Sequence, residues 1–145
     1  MEMISATSIE VLGVLNIADK NFTFAVPVST FEGFNSSLQK THFNEDYLET
    51  DRYINATFRG KIIEEVDLSI PGRYNIRAKG KLNIHGREND RIIRCDLRVE
   101  NRTIKVSAKF TIFLENHDIK IPTIVNQKNA QEIQVEIELV LNSTI

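Results

Sequence analysis

Tryptophan is absent from this chain, cysteine occurs once, proline three times and glycine six times in 145 residues. Each scarcity excludes something. A single cysteine, Cys95, forbids an internal disulfide and removes every zinc site built on paired thiolates. In the alternation Ile93, Cys95, Leu97, Val99 it reads as a small core residue, because free cysteine is often buried. Neither charge sign dominates: 18 Lys and Arg face 20 Asp and Glu, a net charge of -2, and the basic residues form no run. Nucleic acid, which usually needs a basic stripe, therefore has no electrostatic case. No apolar run approaches the roughly 18 residues of a membrane span. The start, MEMISATSIEVLGVLN, lacks the basic region and continuous apolar stretch of a secretory signal.

Catalytic signatures are missing as well. The chain has no glycine-rich phosphate loop, no Gly-x-Ser-x-Gly elbow and no Ser/His/Asp arrangement. His42, His85 and His117 stand at no metal-ligand spacing; His85 at a strand end and His117 in a loop read as exposed. The acidic groups Glu45, Asp46, Glu49, Asp51 and Glu64, Glu65, Asp67 lack a nucleophile or orienting partner and read as solvated surface. Glycosylation sequons at Asn21, Asn35, Asn55, Asn101 and Asn142 carry meaning only in a glycosylating pathway. No cofactor is implied.

What is present is alternation. Phe22, Phe24, Val26, Val28 repeat every second residue, as do Tyr74, Ile76, Ala78, Gly80, Leu82, Ile84. The pattern returns in Ile104, Val106, Ala108, Phe110, Ile112, Leu114 and in Ile133, Val135, Ile137, Leu139. Period-two patterning with one wet face marks antiparallel strands that bury a single side. A first strand over about 7–16 and a second over about 20–28 flank a turn at Ala18-Asp19-Lys20. Ile70-Pro71-Gly72 reads as a turn, Gly86 to Asp90 as a polar loop, and Glu100-Asn101-Arg102 as a tight hairpin. With a short strand near 119–125, the count is seven or eight strands, which close into a barrel or fold into a sandwich. The length fits one domain spanning 1–145.

The rule breaks once, between Val28 and Asn55. Phe31, Phe34, Leu38 and His42 follow a helical stripe, with Ser29 and Glu32 as a capping box and Asn44 as the cap of a second turn carrying Tyr47 and Leu48. All-β chains usually join strands by two to five residues, so a connection this long needs a purpose. We read it as a cover over the mouth of a small antiparallel barrel. His42 either fixes that cover to the rim or contacts a ligand head group, with Asn44 or Tyr47 assisting. An eight-stranded barrel is just wide enough to be filled by side chains or to hold one small ligand. The inward small residues Ala56, Gly60, Ala78, Gly80 and Ala108 favour the second outcome.

Several segments resemble the YceI-like family of bacterial lipid-binding barrels. They are Phe31 to Leu38 leading into His42-Phe43-Asn44-Glu45, then Tyr47-Leu48-Glu49, Tyr53, and Ala56-Thr57-Phe58-Arg59-Gly60-Lys61-Ile62. Gly80-Lys81-Leu82-Asn83-Ile84-His85-Gly86, Phe110 and Asp118-Ile119-Lys120-Ile121-Pro122 continue the series in order, over about 9–141. The resemblance implies an all-β, lipocalin-like antiparallel barrel of about eight strands with a short helical segment near 30–52. It also implies an elongated apolar cavity for a polyisoprenoid such as a quinone tail. By position, Phe22, Phe24, Val26, Phe58, Ile76 and Phe110 would line that cavity, with Ala78 and Ala108 leaving room, and Phe34, Leu38 and His42 would close it. The chain departs from the family pattern at Ile54, where proline is usual, and at Arg87-Glu88, where Thr-Lys is usual; neither touches the apolar face. It also starts inside the family's N-terminal region, without a leader in this stretch. Localisation is periplasmic or secreted by resemblance, and otherwise cytoplasmic.

Three readings of function follow. The favoured one is non-enzymatic binding, transport or storage of a long apolar lipid, with no nucleic-acid partner, no integral membrane segment, and a homodimer left open. A structural or protein-interaction barrel with a filled core is the alternative. An enzyme acting on a lipid, with His42 as acid or base, comes last.

Overall fold

The computed structural model describes residues 4–34, 37–119 and 132–142. Among the described residues, eight strands make one sheet: β1 (Ile4–Ser8), β2 (Leu12–Leu15), β3 (Asn21–Pro27), β4 (Asn55–Ile62), β5 (Gly72–Ile84), β6 (Arg87–Glu100), β7 (Thr103–Phe113) and β8 (Glu132–Asn142). Their order across the sheet is β1-β8-β7-β6-β5-β4-β3-β2. The two edge strands are therefore β1 and β2, which only Ile9, Glu10 and Val11 separate in sequence. β1 runs parallel to β8, from Ile4↔Ile133 to Ser8↔Ile137, while β2 runs antiparallel to β3, from Leu12↔Ala25 to Leu15↔Phe22. One segment thus spans both edges and curls the sheet into a lipocalin-like barrel. The single first strand expected over 7–16 splits for this reason, since the chain must leave β8 to reach β3.

Every other neighbour pair is antiparallel and sequential, so alternation translates directly into an inside and an outside. The inward set of β5 (Ile76, Ala78, Leu82, Ile84), β7 (Ile104, Val106, Ala108, Ile112) and β8 (Ile133, Val135, Leu139) is buried. The turns are tight. Asn101-Arg102 joins β6 to β7 as expected, with Arg102 at φ +70°. Between β5 and β6 the expected polar loop at Gly86–Asp90 is instead a two-residue turn, His85-Gly86, with φ of +56° and +72°. Two successive left-handed residues match the twist of a long hairpin, so strand pairing resumes at once with Ile84↔Arg87.

Gly60 and Gly80 do not leave the interior volume expected of them. They face each other across β4 and β5, where a Cβ on Gly60 would stand 2.0 Å from the Lys79 carbonyl oxygen. Their missing side chains are used for close approach of two backbones, which sharpens the bend of the sheet. Ala56, Ala78 and Ala108 are different, being buried against open space.

The connection from β3 to β4 is not one amphipathic helix. A single 3-10 turn, Val28–Thr30, follows Pro27, and Glu32 then pairs with Thr7 of β1 through hydrogen bonds of 2.7 and 2.8 Å. The Ser29–Glu32 capping box does not form, because the backbone of Glu32 is committed to β1. Thr30 donates its hydroxyl to the Pro27 carbonyl at 2.6 Å instead. A short helix α1 (Ser37–Thr41) continues into a π-turn, His42–Tyr47, closed by the Leu48 N–H donating to the Phe43 carbonyl at 2.9 Å. Asn44 lies inside that turn rather than capping it, and its Nδ2 donates to the Lys40 carbonyl at 3.1 Å. Of the strand expected near 119–125, all but Ile119 lies outside the described residues.

Candidate ligand cavity

The barrel encloses a cavity of about 70 Å³. β3 and β4 contribute Phe24, Val26, Ala56 and Phe58; β5 contributes Ala78, Leu82 and Ile84; β7 and β8 contribute Val106, Ala108, Phe110, Ile133 and Val135. Among the described residues that line it, only Thr57 and Cys95 carry a heteroatom in the side chain. Cys95 is half-buried here, and loss of water around its sulfur pushes the thiol up to about 12, with the Asp96 carboxylate adding in the same direction. A directional contact inside this cavity has almost nothing to work with. What the cavity offers is apolar area.

Of the side chains expected to line it, Phe24, Val26, Phe58, Ala78, Ala108 and Phe110 do. Phe22 is buried behind them, its ring 5.3 Å from Phe24 and 5.1 Å from Phe58 between centroids. Ile76 is buried in the core without facing the cavity. Phe34, half-buried, does not line the cavity but packs its ring on Phe43, at 4.8 Å between rings. Leu38 is a correction: it is 64% exposed and points away. The helical stripe that placed it inward assumed one continuous helix, whereas the chain bends at residues 31–34 and turns as a π-helix after Thr41. The side chain of His42 lies outside the described residues.

Closure falls instead to Phe43 and Leu48, 1% and 4% exposed, which enter the end of the cavity beside Val28 and Phe31. Phe43 packs edge-on against Phe31 at 6.0 Å. Immediately after Leu48 the chain fastens to the barrel rim: Glu49 meets Nε2 of His85, and the Tyr53 ring lies 4.4 Å from the His85 ring. His85 Nδ1 bonds the His117 carbonyl at 3.1 Å, and His117 Nδ1 bonds the Arg87 carbonyl at 3.1 Å. Both histidines were expected at the surface, yet His117 is 1% exposed. Burial holds its pKa below the usual histidine range, outweighing the backbone carbonyls that favour its charged form. At the other end, Val11, Val106 and Leu139 face both the cavity and a solvent-open depression of about 910 Å³.

The family profile of the YceI-like domain matches residues 4–141. The chain belongs to the YceI-like family. Among solved structures it is similar to the Campylobacter jejuni YceI protein, with a TM-score of 0.72 at 14% identity, covering 100% of this chain and 88% of that one. Burkholderia cenocepacia BcnA gives 0.68 at 17% identity, covering 91% and 82%. A polyisoprenoid binding domain from Saccharophagus degradans, implicated in plant cell wall breakdown, gives 0.70 at 15% identity, covering 92% and 82%. Identities this low establish the fold. A search of curated proteins finds no match.

In this YceI-like chain the two departures from the family pattern sit on the outside: Ile54 is exposed, and Glu88 pairs with Arg59 at 3.4 Å across the surface. Sequence reasoning missed Phe43 and Leu48, whose spacing of five matches neither strand nor α-helix. It also missed Arg91, which occupies an inward position of β6. The β6–β7 ladder begins only at Cys95↔Ala108, and Arg91 fills the gap beyond it, donating to the Thr111 carbonyl at 2.9 Å with its guanidinium 5.8 Å from the Phe110 ring centre.

Proposed function

We propose that this chain is a non-enzymatic binding protein that holds a long apolar molecule, of polyisoprenoid or quinone type, for transport or storage. The observation that carries the reading is the chemistry of the enclosed cavity, whose lining offers apolar area and almost no hydrogen-bonding group. Binding there is driven by area removed from water, at about 25 cal/mol per Å². The Saccharophagus degradans domain, a polyisoprenoid binder of like fold, supports the same class of ligand. Family membership supports a periplasmic site of action. His42, assisted by Asn44 or Tyr47, would meet a polar head group at the mouth.

The cavity is about 70 Å³, below the roughly 300–1,000 Å³ typical of small-molecule sites. Loading therefore displaces something, and Phe43 and Leu48 are the side chains placed to move. Exposing them costs about 1.5–3 kcal/mol each, which burial of the larger apolar area of an isoprenoid chain must exceed. The same small volume favours the second reading, a barrel packed by its own side chains that serves a structural or protein-interaction role. Organic extraction of the purified protein, followed by native mass spectrometry with added geranylgeraniol, separates the two. One apolar molecule per chain is the expected result. A protein that carries nothing and ignores both farnesol and geranylgeraniol leaves the packed barrel standing.

A further inference from the structure

We propose that the outer wall of β4 to β7 is a docking face for an anionic lipid surface. No run of basic residues announces it; alternation and antiparallel register assemble it from four strands. Across β4 and β5, Arg59 stands opposite Lys81 and Lys61 opposite Lys79. Across β5 and β6, Arg73 opposes Arg98 and Arg77 opposes Arg94, and Arg98 in turn opposes Lys105 of β7. Directly opposed residues share one face of a sheet, and like charges placed so destabilise it. All nine are exposed, as is Lys109, so ten of the chain's 18 Lys and Arg project from this one wall. The outward positions of the same strands hold four acids, Glu88, Asp90, Asp96 and Glu100, and Glu64 reaches Arg77 from the loop after β4. Among the described residues, Lys61, Arg73, Lys79 and Arg94 pair with no carboxylate. The fold gains nothing from opposed cations; a partner of opposite charge does. The whole chain is at -2, but screening over about 8 Å makes the approach to a charged surface a local matter.

Ile92 and Phe113 choose among polyanions. They are 55% and 45% exposed, and on the outside they flank the gap between β6 and β7 that Arg91 fills. Lys79 stands directly opposite Ile92, and Arg94 is the next outward residue of β6. Cations set around exposed apolar side chains match a bilayer surface, where headgroups take the charge and the acyl boundary takes the apolar groups. Nucleic acid fits less well, since a duplex groove admits a helix or a two-stranded ribbon rather than a barrel wall four strands wide. Behind the wall, Ile93 and Ile112, next to those two in sequence, line the cavity. The choice of a membrane rests in part on the reading of that cavity as a lipid site, because a carrier must meet the phase its ligand comes from. The charge and the exposed apolar groups stand without it.

Flotation of the purified protein with vesicles tests the face. Phosphatidylcholine vesicles holding about one third phosphatidylglycerol should carry the protein up, pure phosphatidylcholine should not, and salt at about 0.5 M should release it. Neutralising three exposed cations together, Lys61→Gln, Lys79→Gln and Arg94→Gln, should weaken partitioning about a hundredfold, near fivefold per charge. The urea midpoint of that variant should hold or rise, because repulsion across the ladder is relieved, so lost binding is not lost fold. Ile92→Ser should weaken partitioning about threefold with its salt dependence unchanged. A polarity-sensitive maleimide dye locates the contact in a Cys95→Ala background. Attached at Ile92→Cys it should shift to the blue on anionic vesicles; attached at Val14→Cys it should not. The edge strand β2 is the rival, since Leu12 and Val14 are 72% and 70% exposed but lie opposite Ala25 and Thr23 rather than cations. Equal binding to both kinds of vesicle, wild-type binding by the triple variant, or a dye response at Val14 in place of Ile92 overturns the proposal. Tighter binding to duplex DNA than to vesicles at equal phosphate overturns it too. Docking with no uptake of geranylgeraniol from the vesicles removes the carrier and leaves the face. Uptake from detergent by a protein that ignores anionic vesicles keeps the carrier and removes the face.

Discussion

The wall of this barrel and its cover are built on opposite principles. The wall, β3 to β8, is a hydrogen-bonded ladder whose inner face is apolar except at Arg91, and its cohesion is spread over many non-directional contacts. The cover, from Ser37 to Tyr53, contributes two buried apolar plugs and is fastened by a few directional bonds around His85. Spread cohesion makes a shell that opens only when the protein unfolds. Concentrated cohesion makes a piece that releases locally, at a free energy below that of global unfolding.

Cys95 gives the largest effect with which to break that comparison. With its thiol at about 12, the thiolate fraction at pH 8 is about one in 10⁴, against roughly a quarter for a free thiol, so disulfide-reagent labelling should be about a thousandfold slow until urea unfolds the protein. Labelling in native buffer at the rate of an exposed thiol would show a wall that breathes as freely as the cover. Truncation sharpens the contrast next. Ile133→Ala, at a fully buried wall position, should lower unfolding free energy by about 2–5 kcal/mol in urea titration. Leu48→Ala should cost less than about 1.5 kcal/mol globally, since a cover that opens locally caps the loss, and should show first in cover amides. Equal losses would erase the distinction.

Overfilling tests the interior. Ala108→Phe and Ala78→Phe should each weaken geranylgeraniol binding about tenfold or more, at an overpacking cost of about 1–3 kcal/mol. Wild-type loading in both would place the ligand elsewhere. The smallest effect concerns acid. His117 is held neutral in the fold, so the unfolded chain takes up its proton first; stability is full above the ordinary histidine value of about 6.5 and falls as pH drops below it. His117→Gln, which keeps a donor for the Arg87 carbonyl, should flatten that part of the urea-midpoint profile.

What the sequence disclosed and what it hid divide along the same line. Alternation encodes which face of a strand is buried, so β3 to β8, the Asn101-Arg102 hairpin and six of the cavity side chains, among them Phe24, Phe58 and Ala108, were readable, whereas the single strand expected over 7–16 is the two edge strands β1 and β2. The features that were not readable, Arg91 of β6 among them, depend mostly on contacts distant in sequence. Leu38 fits a helical stripe that tertiary pairing of Glu32 with Thr7 interrupts. Phe43 and Leu48 follow the spacing of a π-turn, which has no signature in periodicity. Gly60 and Gly80 look like spare volume until their strands meet. His85 and His117 sit in polar stretches, and only the fold brings Glu49 and the Arg87 carbonyl to them.

Methyl NMR of the protein titrated with geranylgeraniol addresses the central claim most directly. The account predicts saturable, one-to-one shifts at Ala78, Ala108, Val106 and Ile133, accompanied by displacement of the Leu48 methyls from the cavity end. Shifts confined to surface methyls such as those of Leu12 and Val14, with the interior signals unmoved, would contradict it.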